Sequence, residues 1–185
     1  MDYTRIEEFK EKLKTDLKPE RYRHTMSTVI KAMELSIGTS ADKDVVFIAS
    51  ILHDCAKYKT PTEVQKEELK DFLNCPPIIH APFGAILARD EYGIQDERVL
   101  NAIKYHSTGR KGMSIEEMIV CLADAIEDSR NYPNLENVKN AAKQGIVQGM
   151  IANLSGVIEY EQSKGNHIHR LTVEALEDLK NRGNL

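Results

Sequence analysis

His53 and Asp54 stand side by side directly after Val45–Leu52, a run without a single charge. Neighbouring helical residues point about 100° apart, so an adjacent imidazole and carboxylate can grip one ion from two sides. Asp124 is the only charge in Met118–Ile126, MIVCLADAI. A carboxylate on so apolar a helix needs a partner, because an unpaired buried charge is very costly, and a metal ion is the simplest one. His24 follows Arg21 and Arg23 on a stretch marked by Tyr22 and Met26. Imidazoles and carboxylates together suit a hard or borderline divalent ion that keeps positions open for substrate and water. The lack of thiolates in the set argues against a structural zinc site.

Taken singly, each residue has a plainer explanation. A lone histidine on a helix is more often a surface or satisfied core residue. A His-Asp dipeptide is common, and Asp124 could pair with a core arginine. The joint order is much more specific than any member: His24, then His53-Asp54 after an apolar helix, then Asp124 in a second apolar helix. Cys55 and Cys121 read as small core residues rather than nucleophiles.

The elements that must position these groups all read as helices. Thr4 and Glu7 suggest a capping box ahead of a stripe of Ile6, Phe9 and Leu13. Pro19 is placed as a first helical residue, and Tyr22, Met26, Val29, Ile30 and Met33 recur at helical spacing until Gly38. Ser40 can cap the helix that runs into His53-Asp54. Thr60-Pro61-Thr62-Glu63 suggests another capping box. Pro76-Pro77 breaks the chain, and a short helix is expected from Pro82 to about Gly93. Asp96 opens a helix with His106 near its end, and 107–112 is a loop. Ser114 and Glu117 cap the helix that carries Asp124. Two amphipathic helices are expected at about 136–162 and 167–182, with His167 and His169 on the surface at the start of the second. Tyr132-Pro133 reads as a helix end. Period-2 alternation of useful length is missing, so the fold class is all-α.

Composition agrees. The 185 residues are 41% hydrophobic and 29% charged, with 6% aromatics and no Trp, an ordinary globular balance short of strand formers. That length fits one domain over 1–185, with a core at about 20–130 and C-terminal helices at about 136–182. A net charge of -4 disfavours a nucleic-acid polymer as partner. Three cysteines without CxxC spacing suggest a reducing cytoplasm. The charged N-terminus lacks a signal core, and no run approaches membrane-spanning length. The expectation is a soluble, cytoplasmic protein.

The order His24, His53-Asp54, Asp124 resembles the signature of HD-superfamily metal-dependent phosphohydrolases. ArgTyrArgHisThr at 21–25, LeuHisAspCysAlaLys at 52–57, HisAlaPro at 80–82, TyrHisSerThrGlyArg at 105–110 and AlaAspAlaIleGluAspSerArg at 123–130 look like its YqeK-type branch. The resemblance spans about residues 20–160. It implies an HD-domain helical bundle with a helical C-terminal extension. It also implies symmetrical cleavage of diadenosine tetraphosphate to two ADP, with iron as the metal and a link to NAD metabolism. One or two ions, or Mn, Co, Mg or Zn in place of iron, stay open. So do GDP as product and a homodimer.

In that reading His24, His53, Asp54 and Asp124 hold a metal that binds a phosphate oxygen and activates a water. Asp54 orients the water, and Lys57 reaches the same pocket. A polyphosphate needs further cations. Arg21, Arg110 and Arg130 are the candidates, with Arg130 six residues and about 9 Å of helix beyond Asp124. The Ser107-Thr108-Gly109 loop has backbone amides that could hold an oxygen. His80 and His106 serve either a second metal or the phosphates. Competing readings are another HD nucleotidase, a cyclic-dinucleotide phosphodiesterase, and a diiron oxygenase or oxygen-binding protein.

Overall fold

The computed structural model describes residues 3–183, so Met1, Asp2, Asn184 and Leu185 of the expected domain lie outside the described residues. Ten α-helices follow one another, with two short 3-10 turns at Lys70–Phe72 and Pro76–Ile78 and no strand among the described residues. They are α1 Tyr3–Asp16, α2 Pro19–Ser36, α3 Lys43–Leu52, α4 Glu63–Glu68, α5 His80–Asp90, α6 Glu97–Lys104, α7 Ile115–Ile126, α8 Leu135–Ala142, α9 Ile146–Ser163 and α10 Arg170–Gly183. None of the described helices is long and apolar enough to cross a membrane.

Local signals set most of these boundaries. Pro19 opens α2, where a missing N–H costs nothing. Several expected starts move. Thr4 lies inside α1, which already includes Tyr3. Asp42, not Ser40, caps α3, accepting from the amides of Asp44 and Val45 at 3.0 and 3.5 Å; a carboxylate also complements the helix dipole. The capping box belongs to Thr62 and Gln65, each accepting from the other's amide, with Pro61 outside the helix. α5 begins two residues before Pro82, which its first turn tolerates. Ser114 caps α7 through the Glu117 amide, but the Glu117 side chain turns to Arg110 instead of closing a box. The single helix expected over 136–162 is two, divided at Gly145.

α7 is the axis of the molecule. Val120 joins the core of α1, α3, α5 and α6. Met118, Cys121, Leu122 and Ile126 belong to the core of α8, α9 and α10. Ile119 and Ala123 pack with Ala32 of α2 and Val46 of α3. From Met118 onward the helix is apolar apart from Asp124 and is buried on most sides, as such a segment must be.

α9 approaches α7 and α8 closely at Gly149. A Cβ there would lie 2.8 Å from Leu122 Cδ2 and 3.0 Å from the Ala142 backbone. Gly149→Ala is therefore expected to lower stability by about 1–3 kcal/mol through overpacking, although alanine is the better helix former by about 1 kcal/mol. Thermal melts followed by circular dichroism check this; an equal or higher midpoint would overturn it.

Candidate metal centre

Helix ends bring the predicted donors together. His24 projects from the first half of α2, His53 ends α3, and Asp54 follows it. His80 heads α5, His106 follows α6, and Asp124 stands near the end of α7. His24 Nε2 lies 2.9 Å from Asp124 Oδ1 and 3.7 Å from Asp54 Oδ2. His53 Nε2 lies 3.5 Å from Asp54 Oδ2 and 3.9 Å from Asp124 Oδ1. Two overlapping triads could hold an ion: His24, His53 and Asp124, and His53, Asp54 and His106, with ligand atoms in each within 4.8 Å of one another.

The proton positions follow from the partners. Nδ1 of His53 faces the Ser50 carbonyl at 2.7 Å, and Nδ1 of His106 faces the Ile103 carbonyl at 2.7 Å. Nδ1 of His24 faces Glu127 Oε1 at 3.0 Å. Carbonyls and carboxylates accept, so each Nδ1 carries a proton and each Nε2 is the atom left to bind a cation. All three Nε2 atoms are buried without a hydrogen-bond partner, as is Asp54 Oδ1. Orphaned buried polar atoms are uncommon. Spread over the two overlapping triads, these four are what divalent cations would satisfy, so the residues fit the ion that the sequence implies.

His80 differs. Its Nδ1 faces the Pro77 carbonyl at 3.1 Å, while its Nε2 lies 3.1 Å from Lys57 Nζ and 3.3 Å from Ser107 Oγ. Burial, with His106 and Lys57 nearby, pulls its pKa down to about 3. It is thus a neutral ring that accepts from Lys57. Burial and His53 likewise bring His106 down to about 4. The two histidines that the sequence left together are separated here: His106 joins a triad and His80 does not.

Cations complete the cluster. Arg21 Nη1 donates to Asp54 Oδ2 at 3.0 Å, and Lys57 Nζ lies 3.7 Å from Asp54 Oδ1. Burial would lower the His53 pKa, but Asp54 and Asp124 raise it, so that the proton they favour on Nε2 takes the place of a cation. With Lys57 that proton outweighs burial and holds the Asp54 carboxyl well below its ordinary range. Arg130 is not 9 Å along a helix. α7 ends at Ile126, and the chain turns back so that Arg130 Nε donates to the Asp124 carbonyl at 2.7 Å and Nη2 to its carboxylate.

Three expected substrate contacts are engaged elsewhere. Arg110 forms a fork with Glu117, at 2.8 and 2.6 Å, about two helical turns before Asp124. The Gly109 amide donates to the Tyr105 carbonyl, and the Thr108 hydroxyl to the Gly109 carbonyl. Gly109 has φ +65°, and a Cβ would meet Ala175 and Met113 at 3.0 and 3.1 Å. The loop is thus packed under α10, not a flexible cradle. His169 is also not a surface residue; it is buried, stacked on Phe72, with Nε2 3.1 Å from the Asp71 carbonyl. Burial raises both Cys55 and Cys121, so neither is a thiolate nucleophile.

Two residues were missed. Glu127 is fully buried and accepts from the Ser129 amide and hydroxyl at 2.8 and 2.5 Å as well as from His24. Burial would raise its pKa, but these bonds bring it to about 2. Its place three residues after Asp124 was the available signal. Ser107, beside His80, had none.

Residues 21–128 match the HD domain. The chain is 36% identical over 173 residues to the symmetrical bis(5'-nucleosyl)-tetraphosphatase of Halalkalibacterium halodurans, covering 90% of this chain and 92% of that protein. It is 33% identical over 162 residues to the protein of that name in Bacillus subtilis, covering 84% and 87%. The crystal structure of a predicted HD superfamily hydrolase involved in NAD metabolism from Clostridium acetobutylicum superposes with a TM-score of 0.88 at 31% identity, covering 96% and 97%.

Because Arg110 serves Glu117, Arg110→Ala should act on stability rather than on the cluster. Glu117 is almost fully buried, while the arginine is 30% exposed, so solvent screening discounts the pair to about 1–2 kcal/mol. Melting should fall while divalent-ion binding at 25 °C stays unchanged. Unchanged melting with weakened ion binding would return Arg110 to the site.

Proposed function

This chain belongs to the HD domain family, and on that premise we propose that it is a metal-dependent hydrolase of dinucleoside polyphosphates, cleaving diadenosine tetraphosphate into two ADP. The observation that carries the reading is the convergence of three buried imidazole Nε2 atoms and two carboxylates, with cations set around them. The relatives named for symmetrical tetraphosphatase activity match over most of their length. Neither another nucleotide phosphodiesterase nor a diiron oxygenase has better support.

We assign metal binding to His24, His53, Asp54 and Asp124, with His106 completing the second triad. One or two divalent ions, iron first among them, would there supply Lewis acidity and lower the pKa of a water. Asp54 Oδ1 accepts a hydrogen bond from the attacking water and aligns it. The water oxygen bonds to a central phosphorus and gives up a proton to solvent, the bridging P–O bond breaks, and its electron pair leaves on the second ADP. Lys57 and Arg21 neutralise the phosphates beside Asp54. His80 holds Lys57 in place and faces the same oxygens. Arg130 spends Nε and Nη2 on Asp124 and offers Nη1 to the departing diphosphate. Lysine and arginine differ here as a point charge and a planar fork.

Incubation of the metal-loaded protein with diadenosine tetraphosphate should give ADP as the sole initial nucleotide product by chromatography. ATP plus AMP, or uptake of dioxygen in step with turnover, would refute the reading.

Glu127 fixes the His24 tautomer, so Glu127→Gln should weaken divalent-ion affinity about 10- to 100-fold with the helical content retained. Competition against a chromophoric chelator measures it. Wild-type affinity in the variant would remove His24 from the ligand set.

A further inference from the structure

Beyond Arg130 lies a cavity of about 730 Å³ between the 131–134 loop and α9. That volume is within the roughly 300–1,000 Å³ of small-molecule sites. We propose that it is a nucleoside subsite, taking the base and ribose of one nucleotide half while the attached phosphates pass Arg130 to the His–Asp cluster. The proposal rests on the hydrolase reading above and names the part of the substrate that the cluster itself does not recognise.

Arg130 belongs to both places. It lines the cavity and bonds to Asp124. It is the one cation among the cavity's lining residues, and Glu159 and Glu161 line it from α9. A polyphosphate would be drawn to the Arg130 end and repelled from the rest, which orients a nucleotide with its neutral end inward. The walls suit such an end. Tyr132 and Tyr160 offer aromatic faces, on which any base can stack. Asn131, Asn134 and Asn153 line the same space, and carboxamides both donate and accept, as the edge of a base requires. Tyr160 and Val157 are 57% and 38% exposed. Large apolar groups left open beside a cavity mark a binding site more often than a monomer's ordinary surface.

Gly156 supplies the space. A Cβ there would run into the Asn134 amide, so a larger side chain fills the cavity and displaces a polar group that lines it. Anchoring a nucleoside at a fixed place beyond Arg130 also selects which phosphorus reaches the cluster. Symmetrical scission needs that selection and the cluster alone does not provide it.

The test compares calorimetric binding of ADP and of inorganic pyrophosphate to the metal-loaded wild type, Tyr160→Ala, Tyr160→Phe and Gly156→Leu, with melts of each. The wild type should prefer ADP. Tyr160→Ala and Gly156→Leu should lose about tenfold or more in ADP affinity, the scale of one base stack. Pyrophosphate affinity should stay unchanged, and Tyr160→Phe should behave as wild type. Exposed Tyr160 can be changed without disturbing the core, so Tyr160→Ala remains decisive if Gly156→Leu misfolds. Wild-type ADP affinity in Tyr160→Ala, or equal losses for both ligands, would overturn the subsite. Hydrolysis of diadenosine tetraphosphate by the wild type is scored separately. Turnover with the ADP preference kept in Tyr160→Ala sinks the subsite alone. A pocket-dependent ADP preference without turnover sinks the hydrolase reading alone.

Discussion

A carboxylate inside an apolar helix bundle must be compensated, and much of this molecule is arranged around two that are. Asp124 is the one charge in the apolar Met118–Ile126 stretch of its helix, and Asp54 follows a helix end that is fully buried. Neither could remain ionised there alone. The chain answers with Arg130 folded back on one and Arg21 and Lys57 drawn toward the other. The compensation is incomplete by design of the geometry: Asp54 Oδ1 and three imidazole nitrogens are left without a hydrogen-bond partner. That unmet need is what a bound cation would answer and a salt-bridge network would not.

The same economy governs the imidazoles. His53, His80 and His106 each stand three residues after the carbonyl that faces their Nδ1, those of Ser50, Pro77 and Ile103. Helix and turn ends leave such carbonyls unpaired. A histidine placed just past the end satisfies the carbonyl and fixes its own tautomer in one bond. His24 lies inside a helix, where carbonyls are already used, and so needs Glu127 from another element. Glu127 in turn needs Ser129.

The metal-ligand candidates were legible because their signal is a violation. Charge in an apolar run is visible in one dimension, and His53-Asp54 and Asp124 stand out by it. The all-helical architecture was legible from period and punctuation. What escaped were choices among equivalent local solutions: Asp42 over Ser40 as a cap, Thr62 with Gln65 over Thr60 with Glu63 as the capping box, a break at Gly145 within an amphipathic pattern that continues across it. Arg110 and Arg130 escaped for a different reason. An arginine's destination depends on which carboxylate the fold brings near, and helical arithmetic for Arg130 failed once α7 stopped at Ile126 and the chain reversed. The 107–110 loop reads as flexible because it is rich in small residues, yet smallness is what lets α10 close over Gly109.

The position of α7 also bears on how the protein comes apart. Local opening usually frees termini and loops first, in units that share few contacts with the rest. α7 is shared by all three cores, so it belongs to no peripheral unit and cannot detach while any one of them stands. The helix carrying Asp124 would open only when the whole molecule does. An ion held by it would therefore be protected from loss through partial opening, and its binding free energy would add to global rather than regional stability.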